Sequence, residues 1–253
     1  MMLAWVGAVV IGLSLGLLGS GGSILTVPVL VYLVGEPVKL AIAESLAIVG
    51  LIALFGAIPY ALKGQIDWPK VLVFGIPGMA GTALGAWVSK WMPAAWQLGL
   101  FAMVLLLAAY MMFTARPLEA ARPRSHLRIA LDGLAVGLLT GLVGVGGGFL
   151  IIPALVLLGG LPMLLAIGTS LLIIALKSAS GFFQYLQLLP QWGYTVNWEL
   201  LLVFAGLGLV GSLLGGRIAS AVPQGMLRRA FAGFLVLMGV FILSQNIPKL
   251  LQG

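Results

Sequence analysis

The sequence predicts an all-α polytopic membrane protein made of two inverted repeats, each a glycine-rich broken or re-entrant helix pair followed by three transmembrane helices. Three observations lead there. The 253 residues are 62% hydrophobic and only 8% charged, with a mean hydropathy of +1.20, a balance that no soluble domain sustains. The chain repeats itself at a fixed offset. Its lysines and arginines are distributed between the apolar runs in a way that sets orientation.

The repeat is visible on self-comparison. Gly16-Leu17-Leu18-Gly19-Ser20-Gly21-Gly22 overlies Gly141-Leu142-Val143-Gly144-Val145-Gly146-Gly147, Pro28 overlies Pro153, Pro37 overlies Pro162, and Ser45-Leu46 overlies Ser170-Leu171. After a short insertion the match resumes, with "LVFGIPGMAGTALGAWVSKWMP" from Leu72 over "LVFAGLGLVGSLLGGRIASAVP" from Leu202. Two halves, 1–113 and 128–253, thus flank a polar linker, 114–127.

Each half reads as five helical segments: 3–18, 23–34, 38–62, 70–90 and 95–113, then 128–143, 148–159, 162–188, 198–220 and 225–246. A spanning helix takes about 20 apolar residues, which the last three of each half supply and the first two do not. At about 1.5 Å per residue the second segment covers some 18 Å, enough to reach the midplane from one side. Each pair is therefore expected to form a re-entrant hairpin or broken helix whose turn lies inside the membrane.

Charge placement favours inversion. Three crossings per half, with the linker arginines (Arg116, Arg122, Arg124, Arg128) in the cytoplasm, put Lys63, Lys70, Arg217, Arg228 and Arg229 inside as well. Lys39, Lys90 and Lys249 fall outside, and Lys177 lies within the bilayer. Four crossings per half would send Arg217, Arg228 and Arg229 outward, against the positive-inside rule. Two full crossings by each hairpin would have the same parity as none. The basic pI near 10.1 is then a record of topology, and no nucleic-acid partner is expected.

Two turns at membrane depth give a reason for the glycines. Irregular backbone is tolerated there only when it is buried in protein or lines a polar cavity. Gly19, Gly21, Gly22, Gly144, Gly146, Gly147 and Gly148 are expected to permit positive φ and close approach of another group. Short helices starting near Ser23 and Phe149 would aim free N–H groups and the positive end of their dipoles at the centre, which suits a small anion. Paired broken helices in inverted repeats also mark the binding site of a secondary transporter. The stretches "GMAGTALGA" and "GLVGSLLGG" read instead as tight helix packing.

Lys177, midway along the 162–188 segment, is the leading single residue, as cationic partner of the anion or as counter-charge for Glu44. Glu44 overlies Thr169 and suits proton coupling, pairing with a lysine, or interfacial exposure. Ser45 and Ser170 occupy equivalent positions and offer hydroxyls to the substrate or to their own helices; Thr169 adjoins Ser170. Gln184 and Tyr185 lie near the face of Lys177. Trp68 and Trp198 are expected to anchor helix starts at the interface, and Asp132 is assigned no function.

Other chemistries are disfavoured. The chain has no cysteine and one histidine, His126, in the linker, so no metal, cofactor or catalytic residue is expected. A Ser170–Lys177 dyad would be separated by about 10 Å along the helix axis. The glycine motifs lack the strand and the Gly-Lys-Ser/Thr ending of nucleotide loops. No cleavable leader is read at the N-terminus. A channel for a small anion remains the alternative to a transporter, and the oligomeric state is left open.

The stretch "GLVGVGGGFLIIPALVLLGGLPMLLAIGTSLLIIALKSASGFFQY", with its degenerate copy "GLLGSGGSILTVPVLVYLVGEPVKLAIAESLAIVG", resembles the TauE/SafE family of membrane permeases, also called the sulfite exporter or DUF81 family. The likeness covers essentially the whole chain. It implies a bacterial-type inner-membrane transporter of small sulfur-containing anions such as sulfite or organosulfonates, exporting them with an ion gradient, a proton or sodium ion. Ser23 in place of Gly148 and Glu44 in place of Thr169 depart from symmetry between the copies.

Overall fold

The computed structural model describes residues 2–114, 125–143, 148–158 and 160–250. Among them every regular element is helical. In the first half α1 (Met2–Leu18) and α2 (Gly21–Pro28) form the short pair, followed by α3 (Val38–Gly56) with its one-turn extension α4 (Ile58–Leu62), then α5 (Trp68–Val88) and α6 (Ala94–Thr114). The second half repeats this with α7 (His126–Val143), α8 (Gly148–Pro153), α9 (Met163–Leu188), α10 (Trp198–Ala221) and α11 (Gln224–Leu250). Six stretches among the described residues are long and apolar enough to cross a membrane, from Val38–Leu62 to Gly225–Gln245; Leu3–Leu18 and Gly22–Val34 are shorter. The expected segments are all found. Linker residues 115–124 and the second glycine-rich turn, Gly144–Gly147, lie outside the described residues.

The short pair owes its form to local sequence. Proline at 28 removes the backbone donor that would continue the α ladder, and the helix widens into a π segment at Val29–Val34; another follows Pro153 at Ala154–Leu158. Both copies then stop at a left-handed glycine, Gly35 (φ 90) and Gly160 (φ 65). The closing hydrogen bonds also match: Glu36 N–H donates to Leu30 O and Leu161 N–H to Leu155 O, each at 3.0 Å.

The halves are held together by glycine. α1 lies against α10 in parallel, Gly12 on Gly208 and Gly16 on Ser212, so closely that a Cβ on Gly12 would stand 1.7 Å from Gly208 O. α7 lies against α5 in the same way, with Gly133 on Phe74, Gly137 on Gly78 and Gly141 on Thr82. The first helix of each half thus packs on the fourth of the other, as the small-residue stretches predict. α3 and α9 run antiparallel, Gly50 meeting Ser178 while Leu46 meets Gly181. α6 packs on α11.

Gly12→Val should prevent recovery of monodisperse protein in detergent size exclusion, since a side chain there overlaps backbone with no flexible neighbour to yield. Gly206→Ala, with nothing within 4 Å of the new Cβ, should behave as wild type.

Candidate functional site

Four pieces of the chain converge around the first glycine-rich turn. Gly19 carries the break, at φ +70, and sits against Ile152 of α8 and Ile167 of α9, both about 3 Å from the position a Cβ would take. The expectation of positive φ is met at Gly19 but not along the rest of this turn: Gly21 and Gly22 already lie in the first turn of α2. Gly22 is small for a different reason, because a Cβ would stand 2.1 Å from Ile11 O on the returning α1. Gly148 likewise begins α8, while Gly144, Gly146 and Gly147 lie outside the described residues.

The N-cap residue of α2, Ser20, provides no side-chain cap, and its hydroxyl is fully buried without a hydrogen-bond partner among the described residues. Helix geometry leaves the N–H groups of Gly21 and Gly22 unpaired within the helix, while the Ser23 N–H donates to Ser20 O at 3.1 Å. Ser23 does not point its proton away: its Oγ donates to Ser20 O at 2.6 Å. Thr26 Oγ1 donates to Gly22 O at 2.8 Å. Sequence reasoning passed over Ser20, whose partner in the repeat is Val145; a hydroxyl inside a glycine turn was the available signal.

The third segments cross beside this turn. Ser170 Oγ lies 3.1 Å from Gly19 O and 2.9 Å from Ile167 O, so its single proton is shared between the turn and its own helix. Ser45 Oγ donates to Ile42 O at 2.8 Å. Thr169 Oγ1 donates to Leu165 O and accepts the Asp67 N–H at 2.9 Å. Glu44, its counterpart, accepts the Asn197 N–H through Oε1, also at 2.9 Å. The substitution of Glu for Thr therefore preserves a shared role, in which each side chain crosses to the other half and holds the residue that caps the fourth helix. Asp67 and Asn197 in turn accept from Lys70 N–H and Leu200 N–H. Glu44 keeps a second oxygen, Oε2, buried and without a partner. Its complete burial removes the option of interfacial exposure.

Lys177 is also fully buried. Its stem crosses Gly78, where a Cβ would stand 3.0 Å from Lys177 Cδ. Nζ donates to Thr140 Oγ1 at 3.1 Å and lies 5.9 Å from the centre of the Phe74 ring. No ion pair joins it to Glu44 or to another carboxylate among the described residues, so the counter-charge role is not formed. In the first half the same place is apolar, Ile52 against Gly208, and Leu15 takes the position of Thr140. Thr140 was not foreseen, because only the packing of α7 on α5 brings it to α9.

A matched pair of tyrosines secures the helix ends that enter the turns. Tyr185 O–H is within 3.1 Å of Gly141 O and 2.9 Å of Ser89 Oγ; Tyr60 O–H donates to Gly16 O at 3.1 Å. Tyr60 was missed although the repeat offset lays it beneath Tyr185. Gln97 Nε2 adds a bond to Leu142 O at 2.7 Å. Trp68 and Trp198 are more than half exposed at their helix starts, as interfacial anchors would be.

With this geometry in view, the similarities fall on the whole bundle. The model of the family described as sulfite exporter TauE/SafE matches residues 4–242. The chain belongs to the TauE/SafE family. A probable membrane transporter protein of Xylella fastidiosa is 32% identical, over 95% of this chain and 94% of its own length. The probable membrane transporter protein YunE of Bacillus subtilis is 29% identical over 94% and 97%, and MJ0441 of Methanocaldococcus jannaschii, also named a probable membrane transporter protein, is 27% identical over 93% and 94%. No solved structure matches the chain. As a TauE/SafE member it is an integral membrane transporter, not an enzyme.

Glu44→Gln keeps a carbonyl acceptor for the Asn197 N–H and should unfold within a degree or two of wild type. Glu44→Leu removes that acceptor and should cost about 1–3 kcal/mol, read as a lower thermal unfolding midpoint in detergent.

Proposed function

We propose that this TauE/SafE protein is a secondary transporter, an exporter, of small sulfur-containing anions such as sulfite or organosulfonates. The anion binds between the two glycine-rich turns, held by the N–H groups opening α2 and α8 and by Lys177, and crosses as one repeat rocks against the other. The observation that carries the reading is Lys177: an ammonium with no exposed surface, three protons to donate, and, among the described residues, a single side-chain hydroxyl as hydrogen-bond acceptor. A buried charge in that condition is expensive until an anion joins it. Thr140 lies in the last turn of α7, which ends at Val143, so the ammonium sits near the end of the helix that leads in sequence to the second glycine-rich stretch. The unpartnered Ser20 hydroxyl at the first turn suits an oxyanion acceptor in the same way.

The antiparallel course of α3 and α9 supports the inverted relation of the repeats, and with it alternating access around a central site. Glu44 Oε2 is the coupling position, taking a proton or a sodium ion from the opposite side. Lys63, Lys70 and Arg217 face the cytoplasm with the linker, in a bacterial-type inner membrane.

Calorimetric titration of purified protein with sulfite, sulfate and methanesulfonate tests this. Ser20→Ala removes a hydroxyl without a partner among the described residues, so it should leave stability unchanged and weaken sulfite binding about tenfold, the scale of one hydrogen bond to a charged group. Lys177→Met should abolish binding. Wild-type affinity in both folded variants would overturn the site.

A further inference from the structure

A cavity of about 300 Å³ opens beside Lys63 and Arg217, at the end of the bundle where α4 meets α10. Its inner wall holds Tyr60 and Ser212. Ser212 is 2% exposed, and its Oγ has no hydrogen-bond partner. Glycine leaves room beside both buried hydroxyls: a Cβ on Gly56 would stand 2.6 Å from Ser212 Oγ, and one on Gly216 would stand 3.3 Å from the Tyr60 hydroxyl. Tyr60 reaches on to Gly16 O, three residues before the Gly19 turn, or about 4.5 Å along the helix. Neither Lys63 nor Arg217 is engaged in an ion pair among the described residues.

The repeat supplies an internal control. The positions equivalent to Lys63, Ser212, Gly216 and Arg217 are Leu188, Thr82, Ala86 and Trp87. There Tyr185 is fully buried and bonded to Ser89, and Thr82 Oγ1 is bonded to Gly78 O. Thr82 also fills the space beside Gly181, its methyl 2.7 Å from where a Cβ would be. The same fold thus packs one end with satisfied and apolar groups, and leaves at the other a cavity with two free cations and an unsatisfied hydroxyl. Charges placed for topology alone would need neither the cavity nor the buried hydroxyl.

We propose that this cavity is a second oxyanion site, a vestibule in which the anion is held by Arg217, Lys63 and Ser212 before it passes Tyr60 toward the central turn. The proposal rests on the anionic cargo put forward above. It predicts a face-specific effect on half-saturation, with the central site untouched.

The test is sulfite flux in proteoliposomes, with substrate offered from the Arg217 face or from the opposite face, alongside calorimetry in detergent. Arg217→Lys/Ser212→Ala retains every positive charge, and so the topology, while losing the guanidinium fork and the free hydroxyl. KM from the Arg217 face should rise about tenfold, with KM from the opposite face and the calorimetric Kd of the Ser20-dependent site unchanged. An unchanged KM from the Arg217 face would overturn the vestibule while leaving the cargo reading intact. A change in the calorimetric Kd as well would place these residues in the central site and overturn a separate vestibule. If the wild type neither binds nor saturably transports sulfite, sulfate or methanesulfonate, the cargo reading fails and the vestibule with it. Should the double variant not purify, Arg217→Lys alone, at an exposed position, is read by the same criteria.

Discussion

The whole bundle depends on backbone meeting backbone where α1 crosses α10 and α7 crosses α5. Gly12, Gly16, Gly137 and Gly141 stand so close to carbonyl groups of the partner helix that no larger residue fits. Lipid supplies no hydrophobic drive between helices, so this intimacy of packing has to hold the halves together. It also fixes function's geometry. α1 and α7 each lie along a spanning helix of the other half. The first glycine-rich turn leaves regular structure at Gly19 while enclosed by Ile152 of α8 and Ile167 of α9, the condition under which irregular backbone is tolerated in a membrane protein.

On this frame the two halves share their structural bonds and differ in their chemistry. Tyr60 and Tyr185 hold equivalent glycine carbonyls, and Thr169 and Glu44 hold equivalent cap residues across the divide. Where symmetry breaks, a polar group appears that the fold does not need. Lys177 and Thr140 replace Ile52 and Leu15, Ser20 replaces Val145, and the carboxyl of Glu44 brings an oxygen beyond the one that Thr169 uses. An apolar pair already fills the equivalent position in the other half, so packing alone is no reason for a buried ammonium. The proposed function places its substrate and ion chemistry on these departures from the repeat.

The sequence made the architecture legible because its signals are local or periodic. Segment lengths, the prolines at 28 and 153, the stop glycines at 35 and 160, and the repeat offset all act along the chain, and the helices appear within a few residues of their expected bounds. Lys177 stood out because a charge in an apolar run is anomalous wherever it packs. What escaped depends on tertiary approach. Thr140 matters only because α7 lies on α5, Ser212 only because Gly56 leaves room beside it, and Gly22 is glycine through its contact with Ile11 instead of its own φ. Tyr60 was within reach of the self-comparison, since Tyr185 pointed to it, but a single tyrosine near a helix end carries no signal until its hydroxyl is seen on Gly16 O.

The central claim is that one oxyanion sits between the turn at Ser20 and the ammonium of Lys177. Selenite, the heavier analogue of sulfite, allows that to be seen directly by anomalous diffraction from crystals of the protein grown with it. The account predicts one strong selenium peak enclosed by the N-terminus of α2, the N-terminus of α8 and Lys177 Nζ. Selenium found only at surface lysines and arginines, with the interior empty, would contradict it.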